Sequence, residues 1–175
     1  MPKILLGIGS NINREENIRS GIETLSKVVS GMCVSPVYES PAFGFSGDNF
    51  FNLVVLGETD RFLSELVGLL REIEFTHGRE KDATKFSSRY LDIDVLIYGE
   101  KVGLFEGLEL PRPEILTQSY VLKPIVDIAP ELVHPKEGKR FDTIWANFSG
   151  DKRQLWQSDF QYSGDVSAPQ LSISP

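Results

Sequence analysis

Tyr38-Glu39-Ser40-Pro41-Ala42-Phe43-Gly44-Phe45-Ser46-Gly47-Asp48-Asn49-Phe50 is the stretch on which the fold turns. It joins two strand-like runs, residues 32–38 and 50–58, and Pro41, Gly44 and Gly47 break any helical pattern between them. Parallel neighbours need a crossover, usually a helix. A doubly wound parallel sheet, with a helix between every pair of strands, is therefore excluded. The connection is also unusual in holding bare phenylalanines, because large apolar side chains normally avoid exposed loops. Phe43 and Phe45 read either as lid residues or as a local packing cluster.

Outward from this loop the pattern is regular. Ile4-Leu5-Leu6-Gly7-Ile8 is a short apolar run, the mark of a strand buried on both faces. Asn13 with Glu16 three residues later predicts a helix cap, and Ile18, Ile22, Leu25 and Val29 place an apolar stripe on residues 14–29. Gly31 closes that helix, and Pro36 breaks the strand that follows. Beyond residue 58, Thr59 or Asp60 is positioned to cap a second helix with a stripe of Phe62, Leu66, Leu69, Leu70 and Ile73. It ends at Gly78, with Arg71 and His77 near its negative end. Residues 79–89 are polar, and residues 90–98 form a strand by composition. Gly99-Glu100 is a turn, Pro111-Arg112-Pro113 opens another element, and residues 118–128 look helical despite Pro124. The order βαββαβ predicts an α+β, ferredoxin-like antiparallel sheet with helices packed on it, plus a C-terminal addition.

The composition fits one soluble domain. The chain has 175 residues, 41% of them hydrophobic and 25% charged. Residues 1–150 read as the single domain, and 151–175 as a polar, flexible extension rich in Ser, Gln, Asp and Pro. The formal net charge is −7, of which −6 falls on residues 1–150. That disfavours a long nucleic acid held by its phosphates, including the RNA-recognition use of a ferredoxin-like sheet. No apolar run approaches the ~20 residues of a membrane helix. A lone cysteine, Cys33, permits no internal disulfide, and the short N-terminal apolar run is no signal peptide, so a cytoplasmic monomer is expected.

Asp92-Ile93-Asp94 carries the chemistry. Residues two apart on a strand share a face, their Cα atoms about 6.5–7 Å apart, and two ionised carboxylates there need a cationic partner. Magnesium suits them, with water and substrate phosphates completing its shell. Two ordinary surface acids, or acids paired with Arg89, are the plainer reading. Arg79, Lys81, Lys85 and Arg89 lie just upstream and suit a polyphosphate, although Glu80 and Asp82 are interleaved with them. No Walker-type or dinucleotide-type glycine loop is present; Gly7-Ile8-Gly9-Ser10-Asn11 matches only weakly. Any phosphate must therefore be held by side chains and metal. His77 and His134 lack metal-ligand spacing.

Five segments, taken together and in order, resemble the 6-hydroxymethyl-7,8-dihydropterin pyrophosphokinase family. They are Leu6-Gly7-Ile8-Gly9-Ser10-Asn11, the run from Tyr38 to Gly44 quoted above, Phe50-Phe51-Asn52, Glu74-Phe75-Thr76-His77-Gly78-Arg79 and Arg89-Tyr90-Leu91-Asp92-Ile93-Asp94. Tyr120 and Ile128-Ala129-Pro130 continue the match, which spans roughly residues 3–145. The resemblance implies Mg²⁺-dependent transfer of pyrophosphate from ATP to a pterin hydroxymethyl group in folate biosynthesis. It implies two magnesium ions on Asp92 and Asp94, and phosphate contacts from Arg79 and Arg89 as the catalytic arginines, assisted by Lys81 or Lys85. Glu74 and Arg112 would sit at the ATP site. The pterin would stack between Phe50 and Tyr120, its edge read by Asn52 and by Ser40, Pro41, Ala42, Phe43 and Gly44. Phe86 matches a position where the family often has Trp. Ser87-Ser88-Arg89, Arg112 and Gln118 stand where the family commonly has Gly-Pro-Arg, His and Arg. The partners implied are ATP and a pterin, and the alternative is a paralogue that binds without turnover.

Overall fold

In the computed structural model, which describes residues 1–79, 88–150 and 152–164, the N-terminal apolar run forms β1 (Lys3–Ser10). Ile4, Leu5 and Leu6 are all fully buried, as a central strand covered on both faces requires. β1 pairs antiparallel on one side with β4 (Phe50–Glu58) and on the other with β5 (Asp92–Tyr98). β2 (Ser30–Val34) and β3 (Tyr38–Ser40) both pair with β4, so they are one strand interrupted at residues 35–37. Pro36, which has no N–H to give a ladder, sits in that gap. Ser35 bridges it: its N–H donates to Val54 O and its Oγ accepts from Val54 N, each at 2.9 Å. The resulting order, β5-β1-β4 followed by β2 and β3, is the antiparallel ferredoxin-like sheet expected from the helix-free loop.

Helices α1 (Arg14–Leu25) and α2 (Leu63–Thr76) cover one face. Ile18, Ile22 and Leu25 of α1 and Leu66, Leu70 and Ile73 of α2 pack on Ile4, Leu6, Ile8, Leu53 and Val55. Each fully buried aliphatic side chain there contributes about 1.5–3 kcal/mol. Both expected caps differ in detail. Asn13 has a left-handed backbone (φ 43°) and makes no side-chain cap, and the turn is closed by Asn17 Nδ2 donating to Ile12 O at 2.8 Å. For α2 the cap position is Phe62, which is 75% exposed and so leaves the predicted stripe; its N–H donates to Glu65 Oε2 at 3.0 Å. His77 does lie at the α2 terminus, with Nδ1 2.7 Å from Ile73 O and Nε2 2.8 Å from Ser20 Oγ, which ties α2 to α1.

The opposite face is covered too, by the elements that follow β5. A hairpin of β6 (Gly103–Phe105) and β7 (Leu108–Leu110) leads into α3 (Glu114–Thr117), α4 (Ser119–Ile128) and α5 (Phe141–Ala146). Ile115, Val121, Leu122, Ile125 and Phe141 bury Leu5, Val54, Leu96 and Ile97 in a second core. The segment beyond residue 150 also joins the sheet: β8 (Trp156–Gln157) pairs antiparallel with the outer edge of β3. Residues 156–162 are thus packed onto the domain whose expected boundary was 150. Among the described residues, no helix is long and apolar enough to cross a membrane.

Candidate active site

The second helical layer covers only part of its face. Where it stops, the sheet presents Gly7 and Gly9 of β1, Asn52 of β4, and Asp92 and Asp94 of β5 to a cleft of about 740 Å³. The glycines keep the floor low: a Cβ on Gly9 would stand 3.6 Å from the Phe50 ring and 3.8 Å from Asn52 Oδ1. The walls are Ser40, Pro41, Phe43 and Phe45 of the helix-free loop, Glu74 and Arg79 at the end of α2, Arg89, and Arg112, Glu114, Gln118 and Tyr120 around α3 and α4. A second, wide-open depression of about 750 Å³, lined by residues such as Asn13, Glu15, Glu16 and Asp48, holds none of the sequence-predicted residues.

At one end the cleft is charged. Glu74 is buried and uses both carboxylate oxygens: Oε1 accepts Ile93 N–H at 2.8 Å, and Oε2 accepts Arg79 Nη1 at 2.5 Å. Arg79 Nη1 is also 3.7 Å from Asp92 Oδ1. Glu74 thus fixes a guanidinium beside the aspartate pair. Burial first, then the Glu74 charge, pushes the Asp92 carboxyl up to about 6 despite Arg89 and Arg79. Burial, then Asp92, pushes Asp94 up to about 7 despite Arg112. Glu74 is raised as well, chiefly by burial. Crowded, desolvated carboxylates of this kind favour a divalent cation, which their negative field would attract. The donors are hard oxygens, so they suit magnesium. Among the described residues no group of three or more His, Cys, Asp or Glu could hold a metal ion, so phosphate oxygens or water would have to complete the shell.

The other end is aromatic. Phe45 meets Phe50 edge-on, with ring centroids 6.2 Å apart. Tyr120 faces the same cleft, its phenol pushed up to about 12 by burial and by Glu114 and the two aspartates. Asn52 is buried and donates from Nδ2 to Ser40 Oγ at 2.8 Å, which ties β4 to the start of the loop.

The cleft therefore gathers Ser40, Pro41, Phe43, Phe50, Asn52, Glu74, Arg79, Arg89, Asp92, Asp94, Arg112 and Tyr120 from the sequence-predicted set. Ala42 and Gly44 lie in the loop without lining the cleft, and Lys81, Lys85 and Phe86 fall outside the described residues. Several lining residues had no predicted site role, Glu106 and Leu108 among them. Arg71 was read only as a helix-end charge, Glu114 carried no signal, and Gln118 was noted only as a departure. The Ser10-Asn11 pair also acts differently from a phosphate loop. Ser10 Oγ lies 2.5 Å from Tyr90 O, and Asn11 exchanges bonds with Arg89: Asn11 Oδ1 accepts Arg89 N–H at 2.7 Å, and Asn11 N–H donates to Arg89 O at 3.0 Å. Asn11 Nδ2 also donates to Asp48 O at 3.1 Å and to Ser88 Oγ at 3.3 Å. These side chains brace the backbone that carries Arg89.

Comparison with known proteins gives the cleft a context. A family model described as 7,8-dihydro-6-hydroxymethylpterin-pyrophosphokinase (HPPK) matches residues 5–130. The 2-amino-4-hydroxy-6-hydroxymethyldihydropteridine pyrophosphokinase of Aquifex aeolicus is 34% identical over 137 residues, covering 77% of this chain and 85% of the relative. The protein of the same name from Pseudomonas aeruginosa is 28% identical over 148 residues, covering 82% and 90%. The folic acid synthesis protein fol1 of Pneumocystis carinii is 36% identical over 138 residues, 77% of this chain but 18% of that longer protein. Among solved structures, wild-type HPPK-DHPS of Plasmodium falciparum with pterin and p-hydroxybenzoate superposes with a TM-score of 0.67 at 12% identity. The superposition covers 89% of this chain and 46% of that one, and shows a shared fold.

Proposed function

Because the chain belongs to the 7,8-dihydro-6-hydroxymethylpterin-pyrophosphokinase family, we propose that its cleft moves the pyrophosphoryl group of ATP to the hydroxymethyl oxygen of 6-hydroxymethyl-7,8-dihydropterin, releasing AMP. The chain is a pterin pyrophosphokinase of folate biosynthesis. The observation that carries the residue-level reading is that one cleft gathers the Asp92–Asp94 pair with Arg79, Arg89 and Arg112 on the β5 side and Phe50 and Asn52 on the β4 side, with Tyr120 near enough to feel both aspartates.

In this reading ATP lies along the charged end. Arg79, oriented by Glu74, and Arg89, braced by Asn11, grip the phosphates as planar forks. Arg112 adds a third cation, held 3.2 Å from Glu114. Two magnesium ions on Asp92 and Asp94, when bound, neutralise the triphosphate and polarise its phosphoryl oxygens. The flat pterin stacks between Phe50 and Tyr120 over the low floor at Gly9, and Asn52 with the Ser40 end of the loop reads its polar edge. The hydroxymethyl oxygen attacks the β-phosphorus in line and gives up its proton to water, the bond from the β-phosphorus to the oxygen bridging it to the α-phosphate breaks, and AMP departs. Little covalent chemistry is asked of the protein; its work is alignment and charge stabilisation. Phe43 and Phe45 sit on the loop that closes the aromatic end against water.

The test is direct. Purified protein with ATP, Mg²⁺ and the pterin yields AMP and the pterin pyrophosphate. Absence of AMP with pterin binding intact would instead mark a binding protein without turnover. Calorimetric titration with a non-hydrolysable ATP analogue, with and without Mg²⁺, reads Arg112 and Gln118, the two family departures in the cleft; binding that ignores Mg²⁺ would remove the metal from Asp92 and Asp94.

A further inference from the structure

The segment beyond the family match does specific work at the edge of the sheet. β8 adds a strand to β3, with Gln157 opposite Tyr38 and Trp156 opposite Glu39. The chain then turns back over Val37. Ser158 N–H donates to Val37 O at 2.9 Å, and Gln161 Oε1 accepts Val37 N–H at 2.8 Å. Gln161 Nε2 reaches Val37 O at 3.3 Å and Ser158 O at 2.6 Å, and Phe160 N–H closes the turn on Ser158 Oγ at 3.1 Å. Val37 lies at the break caused by Pro36, where β4 supplies no ladder partner, so this segment satisfies both of its backbone groups.

Phe160 completes the fastening. Its ring stacks on Phe51 at 5.5 Å with the planes 9° apart, and the Arg19 guanidinium lies 5.0 Å over it. Phe51 in turn carries the Arg14 guanidinium 3.7 Å over its ring. Arg14 ties both ends of the helix-free loop: Nη1 donates to Glu39 Oε1 at 2.8 Å and to Asn49 O at 3.0 Å. Burial pushes the Glu39 carboxyl up, but its bond and charge contact with Arg14, together with Asn49 and Trp156, hold it below the usual carboxylate range. The fastened elements thus converge on β3, three residues long, which delivers Ser40 to Asn52 and opens directly into the loop that carries Phe43 and Phe45.

We infer that residues 156–162 are a strap that positions the pterin-facing loop by holding β3 from its outer edge. The inference rests on the proposed reading of which end of the cleft takes the pterin. The strap's hydrogen bonds and ring contacts described above run to Val37, β3, Phe51 and Arg19, all on the side of the sheet edge that carries the loop. Its effect therefore falls on one substrate.

The experiment compares Gln161→Ala and Phe160→Ala in the full chain with wild type. Both variants are expected to raise the KM for the pterin about fivefold or more, the size expected for a lost buried hydrogen bond, while the KM for ATP stays within about twofold. Hydrogen exchange at the Val37 amide speeds up with it. Gln161→Glu, which would set a carboxylate oxygen against Ser158 O and Val37 O, loses the Val37 protection as Gln161→Ala does, and Phe160→Tyr keeps the stack and the wild-type KM. Folded variants with both KM values unchanged would overturn the strap, as would a parallel rise in both. If wild type forms no AMP, the proposed reaction fails by itself; the Val37 exchange and pterin titration still report on the strap.

Discussion

Replacing Asp94 by Asn should make the ligand-free protein more stable and the enzyme inactive. Burial, Asp92 and Glu114 raise the Asp94 carboxyl from an ordinary value to about 7. The folded chain therefore keeps a proton there that the unfolded chain has lost. Between about pH 4 and pH 7 the native state binds more protons, so stability falls as pH rises through that window. The rise of about 3 units corresponds to a ceiling of about 4 kcal/mol at pH 8. Asp94 opens into the cleft, and solvent screening brings the effect to about 1–2 kcal/mol. For a chain of this size that is a rise of about 3–6 °C in Tm. The assay is a melting series from pH 4.5 to pH 8 in EDTA. Wild type and variant lie closest at pH 4.5, near the bottom of that window, and separate as pH rises, the variant melting higher. With Mg²⁺, ATP and pterin present the variant loses about 10³-fold or more in turnover. Equal melting at pH 8 would show that the carboxylate is not strained, and a near-normal rate would remove it from the metal site.

The other expectations are simpler. Arg89→Ala should lower kcat by about 100-fold or more with pterin affinity largely kept, since the Asn11 bonds to residue 89 use backbone atoms. Arg89→Lys should recover little, lacking the guanidinium fork, and equal losses in rate and pterin binding would mark a structural residue. Gly57→Ala should destabilise the fold by about 1–3 kcal/mol in denaturant unfolding, because a Cβ there would stand 2.3 Å from Val29 and 3.0 Å from Ser30 O. Unchanged unfolding would show that β2 and β4 yield more easily than their contact implies.

What could be read from the sequence was local. A run such as Ile4–Ile8 announces a doubly covered strand because every side chain in it must be buried, and Pro36 announces the break because it lacks a donor. The Asp92–Asp94 pair was legible because a spacing of two fixes a shared face. The second helical layer was not, since α3 and α5 have four and six residues, too few for a periodic pattern. β8 is a two-residue strand with no apolar alternation, set by its partners Tyr38 and Glu39 and not by its own composition. The bracing roles of Ser10 and Asn11 depend on partners 78 and 80 positions away, which no local window contains. Asn13 shows the opposite failure: its residue type suited a cap, but its backbone is left-handed and its side chain makes no cap bond.

Asn11 has one further implication. A single buried carboxamide bonds Asp48, on the loop that faces the aromatic end, and Ser88 and Arg89, on the segment that faces the charged end. The two walls of the cleft thus share a fastening at Asn11. Thermodynamic reciprocity then applies: whatever factor ATP imposes on pterin affinity by ordering its wall, the pterin must impose equally on the affinity for ATP. Asn11→Ala should therefore weaken whatever coupling runs through this fastening by the same factor in both directions, read by titrating each substrate with and without the other.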